Sequence, residues 1–203
     1  ELNKDYMSDF KFPTEEVDLP SKGLIYSKDN PLSSGKVEMK YMTAKEEDIL
    51  SNQAYIQKGI VLDKLLKSLL INKDVNIDDL IIGDKNALLI ASRVLGYGKD
   101  YKIIVKDSEH TIDVSTLDNK PIDESLYEAG KNEFSFTLPT SGTIITYQLI
   151  TGRLEKAIER EVAGLKKVNK ESSTGLSTRY KHMVLSVDGN EEKKYIREWV
   201  DTA

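Results

Sequence analysis

Two stretches decide the fold of this chain, TAKEEDIL at residues 43–50 and GDKNALLIASRVLGYG at residues 83–98. Together they bound the most apolar long region of the sequence. Thr43 and Glu46 have the spacing of a capping box, in which each side chain accepts a hydrogen bond from the other residue's backbone amide. Asp84 stands before an apolar run and Gly96 follows it, which is typical of an N-cap and a helix stop. Residues 43–101 are therefore predicted to pack as helices, and nothing in them indicates catalysis.

The helices of this region follow from its apolar spacing and its glycines. Their expected bounds are about 44–58, 61–70 and 85–95, with a short link or single turn at 78–82. The last helix is apolar nearly all round, which predicts burial on several sides, so aspartate at Leu88 or Ile90 is expected to abolish folding. Arg93 stands alone in that apolar run. A snorkelling or ion-paired arginine is one interpretation, and a ligand anchor is the other.

On either side of the helices the apolar period changes to two. Val37, Met39 and Tyr41 alternate with charged residues, which predicts a half-buried strand. Further along, Ile103 and Val105 are expected to pair with Ile112 and Val114 across a five-residue tip that carries an exposed His110. Residues 134–138 and 143–149 predict a second hairpin.

The two ends of the chain carry opposite charge. Residues 1–20 hold six acidic and two basic side chains, and Pro13 and Pro20 argue against a regular element there. We expect an extended arm, with a frayed terminus as the alternative. Residues 153–181 hold eight basic and four acidic side chains. This charge indicates either a solvated helix face or contact with an acidic arm of a neighbouring subunit.

The final third is predicted to be helical. An apolar stripe predicts one helix from about residue 153. A break at 172–175 separates it from a second predicted helix over about 177–187. A last amphipathic helix is predicted around Trp199, near the end of the sequence. Such a terminal helix docks on its own core or continues in a longer chain. The stripe consists of Leu154, Ile158, Val162 and Leu165.

These patterns predict an α+β fold. Its parts are a helical core at about 43–96, a small antiparallel β-unit of about four strands at about 101–150, and a helical C-terminal region. The β-unit would be marginal alone, so it is expected to pack on the helices or on a partner. As domains, we expect an extended N-terminal arm with turns at 1–35, an α+β core at 36–150 and the helical region at 151–203.

Composition excludes several functional classes. The 203 residues include no cysteine and two histidines, which excludes disulfides, thiolate chemistry and histidine-rich or cysteine-rich metal sites. A net charge of −5 argues against nucleic acid as the main partner. No run of 18 apolar residues occurs, so we expect no membrane span and no signal peptide. No catalytic, cofactor-binding or metal-binding residue is assigned, and no cofactor is expected.

Two glycine-containing stretches lack the features of a phosphate loop. Lys22-Gly23 lacks an upstream glycine at the required distance, and Leu24 stands where Ser or Thr would hold magnesium. The glycines at 96 and 98 follow a helix and precede a strand, which is the reverse of a phosphate loop. Both stretches are interpreted as turns.

Four segments taken together resemble the baseplate hub subunits and hub-assembly proteins of T4-like contractile-tailed bacteriophages. They are LPSKGLIY at 19–26, MTAKEEDILSN at 42–52, IGDKNA through YGKDY at 82–101, and FTLPTSG at 136–142. The resemblance covers roughly residues 19–150. Many members of that family carry cysteine pairs that suggest zinc knuckles. This sequence has none, so no metal site is carried over, and hydrogen bonding and packing are expected to hold the tip at 106–110.

The resemblance implies a non-enzymatic structural or assembly component of a phage tail baseplate hub. Such a protein would act through contacts with other tail or baseplate proteins, and it could also form a homo-oligomer. It would be assembled in the host cytoplasm and reside in the tail baseplate of the virion. Two alternatives stay open. One is an assembly chaperone that is absent from the finished virion. The other is a small enzyme whose active site is purely spatial.

Overall fold

The computed structural model describes residues 13–168 and 175–203. In these ranges the helices are α1 (Ala44–Ser51), α2 (Gln53–Gln57), α3 (Val61–Leu69), α4 (Ile82–Tyr97), α5 (Gly152–Val168), α6 (Gly175–Met183) and α7 (Lys193–Thr202). The strands are β1 (Thr14–Asp18), β2 (Lys36–Lys40), β3 (Asp100–Val105), β4 (Ser108–Asp113), β5 (Phe134–Thr137), β6 (Ile144–Tyr147) and β7 (Val184–Val187). The predicted α+β class is confirmed. The arm's apolar residues before Pro13 and residues 172–174 of the break predicted at 172–175 lie outside the described residues.

The described strands form three separate antiparallel sheets, β1-β2, β3-β4 and β5-β6-β7. The expectation of a single β-unit at 101–150 is therefore wrong. Its two hairpins lie in different sheets, and the second one gains β7 from the C-terminal region. The sequence predicted a helix through 177–187, but α6 ends at Met183. Val184 and Val187 are buried in the sheet, which favours a strand there over further helix.

The main core joins the helices to residues that were expected to form an arm and turns. Its buried side chains come from α3, α4, β2 and the loops beside them, together with four from residues before β2. Those four are Leu19, Ile25, Tyr26 and Leu32. Between the two prolines, β1 pairs with β2 in the register Val17 to Val37. The prediction of no regular element in this segment is wrong, because cross-strand pairing stabilises a short strand that local sequence does not indicate.

Two glycines allow the loop before β2 to pack on itself. Gly23 and Gly35 both have positive φ, at 77° and 72°. A Cβ on Gly23 would lie 2.5 Å from the carbonyl oxygen of Ser33, and one on Gly35 would lie 2.6 Å from that of Lys22. The backbones therefore approach too closely here for any side chain.

The predicted helices are present with changed ends. The capping box of Thr43 and Glu46 and the helix α3 are confirmed, and the single turn that was expected at 78–82 lies at Ile77–Asp79. The first predicted helix is divided at Asn52, whose side chain accepts a hydrogen bond from the amide of Tyr55 and starts α2. Asn favours such caps over helix interiors, which explains the break.

Helix α4 is longer than predicted at both ends. It begins at Ile82, so Asp84 lies inside the first turn and is not the N-cap. Its last residue is Tyr97 and its C-cap is Gly98, two residues after the predicted stop at Gly96. Arg93 donates hydrogen bonds to the carbonyl oxygens of Gly98 at 2.9 Å and Asp100 at 3.1 Å, which fixes the exit from the helix.

The C-terminal elements have a second, smaller core. Ile196 of α7 packs with Val184 and Val187 of β7, and Trp199 lies beside them. The last helix thus docks on its own chain, as one of the two expectations proposed. Two basic residues of α5 also find partners within the chain: Arg153 pairs with Asp79, and Lys156 pairs with Asp63 and Asp78.

Candidate functional site

A groove of about 450 Å³ lies between the β1-β2 sheet and α4. The segment that follows β4 closes its third side. We call it the α4 groove. Its lining residues are Glu15, Val17, Asp18, Tyr41, Ala87, Ile90, Ala91, Val94, Leu95, Val114, Ser115, Leu117 and Asn119.

Helix α4 supplies the apolar floor of the α4 groove. Ala87, Ile90, Ala91 and Val94 recur at helical spacing and so share one face of the helix. The two alanines leave space above the helix backbone. Ile90 keeps 39% of its surface exposed, whereas Leu88 is fully buried on the core side. The prediction that α4 is buried on several sides is therefore wrong for the Ile90 face.

The charged side chains of the α4 groove are both acidic. Glu15 accepts a hydrogen bond from the phenol of Tyr41 at 3.1 Å, and this bond raises the pKa of Tyr41. Asp18 lies 3.5 Å from the ammonium of Lys36, which is not among the groove residues. Because Glu15 and Asp18 are three residues apart on one strand, their side chains point to opposite faces of β1. They do not form an acid–base pair.

The closing segment is held by local hydrogen bonds. Asp113 accepts from the amide of Ser115 at 3.0 Å and from the ammonium of Lys99 at 2.7 Å. Hydrogen bonds from Lys99 and then Ser115 lower the pKa of Asp113. These contacts anchor residues 114–116 as a 3-10 turn and leave Leu117 exposed at the rim.

The β3-β4 hairpin starts and ends beside the α4 groove. Its tip is a two-residue turn at Lys106 and Asp107, both with positive φ, and not the five-residue tip that was predicted. Consequently Ile103 faces His110 and Val105 faces Ser108, so the predicted partners are wrong. Turn geometry and the Lys102–Glu109 ion pair at 2.8 Å hold the tip. His110 is exposed on β4.

Two buried carboxylates have structural partners that explain them. Asp84 accepts from the Ser21 amide at 2.9 Å, the Ser21 hydroxyl at 2.6 Å and the Tyr26 phenol at 2.6 Å. Glu46 accepts from Lys40 at 2.7 Å, Ser68 at 2.5 Å and the Thr43 amide at 2.9 Å. Neither lines the α4 groove. Each joins chain segments that are distant in sequence.

A smaller cleft of about 310 Å³ lies between α6, β7 and α7 and includes His182. The imidazole Nε2 of His182 is 2.8 Å from Glu161, which also accepts from Arg197. Burial acts to raise the pKa of Glu161, but the bonds from Arg197 and His182 outweigh it and lower the pKa. Glu161 thus ties α5 to α6 and α7. His110 does not line this cleft, so the two histidines do not share it.

Within residues 13–168 and 175–203, no group of three or more His, Asp or Glu side chains is placed to hold a metal ion. No helix in this described part of the chain is long and apolar enough to cross a membrane. The sequence indicates no site residues, and its patterns do not predict the α4 groove. The one sequence feature that indicates this groove is a pair of small residues, Ala87 and Ala91, on the same helix face as Ile90.

Comparison with known proteins adds no relative. No protein-family model matches the chain, and no curated protein or solved structure matches it.

Proposed function

We propose that this chain is a non-enzymatic structural or assembly component of a phage tail baseplate hub that acts through protein–protein contacts. The observation that carries the contact role is the α4 groove, an apolar floor left open along one face of a core helix. The phage assignment is supported by the resemblance of the segments between residues 19 and 150. Its expected location is the tail baseplate of the virion, after assembly in the host cytoplasm.

The chemistry of the α4 groove indicates its occupant. Apolar side chains such as Ile90 and Val94 require an apolar partner segment, because their exposure to water is unfavourable. Glu15 and Asp18 favour lysine or arginine beside that segment. We therefore propose a neighbouring tail protein that inserts an apolar segment flanked by basic residues.

A structural role fits the described residues better than an enzyme's role. The carboxylates of the α4 groove point to opposite faces of β1, and the buried carboxylates Asp84 and Glu46 are held by structural hydrogen bonds. No pair of acidic groups in the groove is thus placed for proton transfer, which requires both groups to reach one reacting atom.

Size-exclusion chromatography with light scattering tests the contact role, using the chain mixed with candidate tail proteins. Ile90→Asp should abolish any complex while the chain stays folded, because it places a charge on the apolar floor. Leu126→Asp is the matched control, since Leu126 is also exposed but lies outside the α4 groove. Equal loss of binding in both variants would contradict the groove as the contact site.

Mass spectrometry of purified phage particles distinguishes a virion component from a chaperone. A structural subunit should be present in every particle at a fixed ratio to other baseplate proteins. Absence from the particles, together with a complex in the chromatography experiment, would refute the structural role and support the chaperone.

A further inference from the structure

The β3-β4 hairpin is a two-stranded sheet with an uncovered apolar surface. Tyr101, Ile103, Val105 and Ile112 share one face, because residues directly opposite in the register point to the same side. Tyr101, Val105 and Ile112 are exposed, and Ile104 on the other face keeps 77% of its surface exposed. Two strands alone are marginally stable in water, so this hairpin would gain from a further strand.

The free hydrogen-bonding edge of β3 can be identified from the register. The amide of Val114 donates to the carbonyl oxygen of Lys99 at 2.9 Å, and these two residues continue the β3-β4 register. Hydrogen-bonded pairs alternate along an antiparallel ladder. Residues 101, 103 and 105 therefore bond to β4, while the backbone groups of residues 100, 102 and 104 point away from it.

A side-chain contact supports this assignment. Arg93 donates to the carbonyl oxygen of Asp100, an atom that the alternation places on the outer edge. Among the described residues, no strand pairs with that edge. Lys102 and Ile104 thus present outward amides and carbonyls for another strand.

We infer that the outer edge of β3 pairs with β3 of a second copy of this chain, which makes a four-stranded antiparallel sheet across a two-fold axis. The axis passes beside Ile103, so Ile103 of one copy lies directly opposite Ile103 of the other. Lys102 then forms a hydrogen-bonded pair with Ile104 of the second copy, and Tyr101 faces Val105. Aromatic and β-branched residues form favourable cross-strand pairs of this kind.

Charge selects this register among the two-fold arrangements of β3. With Ile103 at the axis, Asp100 comes opposite Lys106 of the second copy at both ends of the interface. Moving the axis to Lys102 would place two lysines opposite each other. Moving it to Ile104 would place Lys102 opposite Lys106. Like charges directly opposite are destabilising, so both shifted registers are disfavoured.

Like charges also disfavour the two central axes on the outer edge of β4. An axis at Thr111 would place Glu109 opposite Asp113, and an axis at His110 would place Asp107 opposite Asp113. Both arrangements oppose two carboxylates. Self-association through β3, by contrast, satisfies backbone, apolar and charged groups together.

Cysteine cross-linking tests the register, because the chain has no cysteine of its own. Ile103→Cys should form a disulfide-linked dimer under mild oxidation, since facing residues in a non-hydrogen-bonded pair lie close enough for a disulfide. Thr111→Cys, on the outer edge of β4, is the control and should remain monomeric in denaturing gels. A stronger cross-link from Thr111→Cys would overturn the inference.

Analytical ultracentrifugation of the full chain is a second test of whether the outer edge of β3 forms the dimer interface. Ile104→Pro removes an outward amide without removing a bond to β4, and should weaken dimerisation by roughly tenfold or more. Thr111→Pro removes an outward amide of β4 and should leave the dimer unchanged. A chain that is monomeric throughout the concentration series and gives no Ile103→Cys cross-link would refute the proposal, as would equal effects of the two prolines.

Discussion

The phenol of Tyr26 donates a hydrogen bond to the carboxylate of Asp84, with 2.6 Å between Oη and Oδ2. The same phenol oxygen accepts from the amide of Ile81 at 3.1 Å. Burial and then the charge of Asp84 raise the pKa of Tyr26, so the phenol stays protonated and remains a donor. This contact fastens the loop before β2 to the first turn of α4, across 58 residues of sequence.

Tyr26→Phe should lower the free energy of unfolding by about 1–3 kcal/mol, because it leaves a buried amide and a buried carboxylate each short of one partner. Urea denaturation followed by circular dichroism measures this change. Tyr195→Phe is the matched control, since Tyr195 is exposed on α7 and should change stability by less than about 0.5 kcal/mol. Similar losses in the two variants would contradict a structural role for the phenol.

The variants Gly23→Ala and Gly59→Ala distinguish two reasons why a position requires glycine, a positive φ and a lack of space for a Cβ atom. Both positions have positive φ, so alanine should cost about 1–2 kcal/mol at each from backbone strain. At Gly23 the new Cβ would also meet the Ser33 carbonyl, whereas at Gly59 nothing lies within 4 Å. A further loss of roughly 1–3 kcal/mol is expected at Gly23 alone. Thermal or urea unfolding of the two variants checks the difference, and equal losses would contradict the close approach.

Leu88→Asp should prevent folding, whereas Ile90→Asp should not. Leu88 is fully buried, so aspartate there would place a charge in the core without a partner. Ile90 faces the α4 groove, where water can solvate a carboxylate. Circular dichroism and soluble yield of the two purified variants provide the measurement. An unfolded Ile90→Asp protein would mean that the groove is closed in solution.

Glu46 should make the protein sensitive to acid. Burial acts to raise the pKa of Glu46, but hydrogen bonds from Lys40, Ser68 and Thr43 prevail and lower it from 4.5 to about 2. A carboxylate with a lowered pKa in the folded state stabilises the protein fully above its unfolded-state pKa. That contribution should therefore decline as the pH falls from 4.5 towards 2.

Glu46→Gln tests this dependence. The variant should lose about 1–3 kcal/mol at neutral pH, because the bonds from Lys40 and Ser68 lose their charged acceptor. Its stability should also fall less steeply than that of the wild type between pH 4.5 and 2. Asp48→Asn, an exposed position on the same helix, is the control and should keep the wild-type slope. Urea titrations at several pH values would show whether the slopes differ.

Local sequence patterns determined most of the elements. The capping box at Thr43, the apolar spacing of α3 and the alternation of Val37 and Met39 each act within a few residues, and each element is present. Where two local signals competed, the observed bounds of the elements differ from the predicted ones. Asn52 divided one helix, and the turn at Lys106 and Asp107 changed the register of the first hairpin.

Tertiary structure alone decided what the elements contact. The strand β1, the entry of β7 into a sheet and the Tyr26–Asp84 bond all depend on partners more than 15 residues away, and local spacing carries no information about such partners. The same holds for the TAKEEDIL and GDKNALLIASRVLGYG stretches. Their sequence determined that they form helices, because caps and apolar periods are local. Only the packing of α4 in the main core decided that Leu88 is buried while Ile90 lies open in the α4 groove.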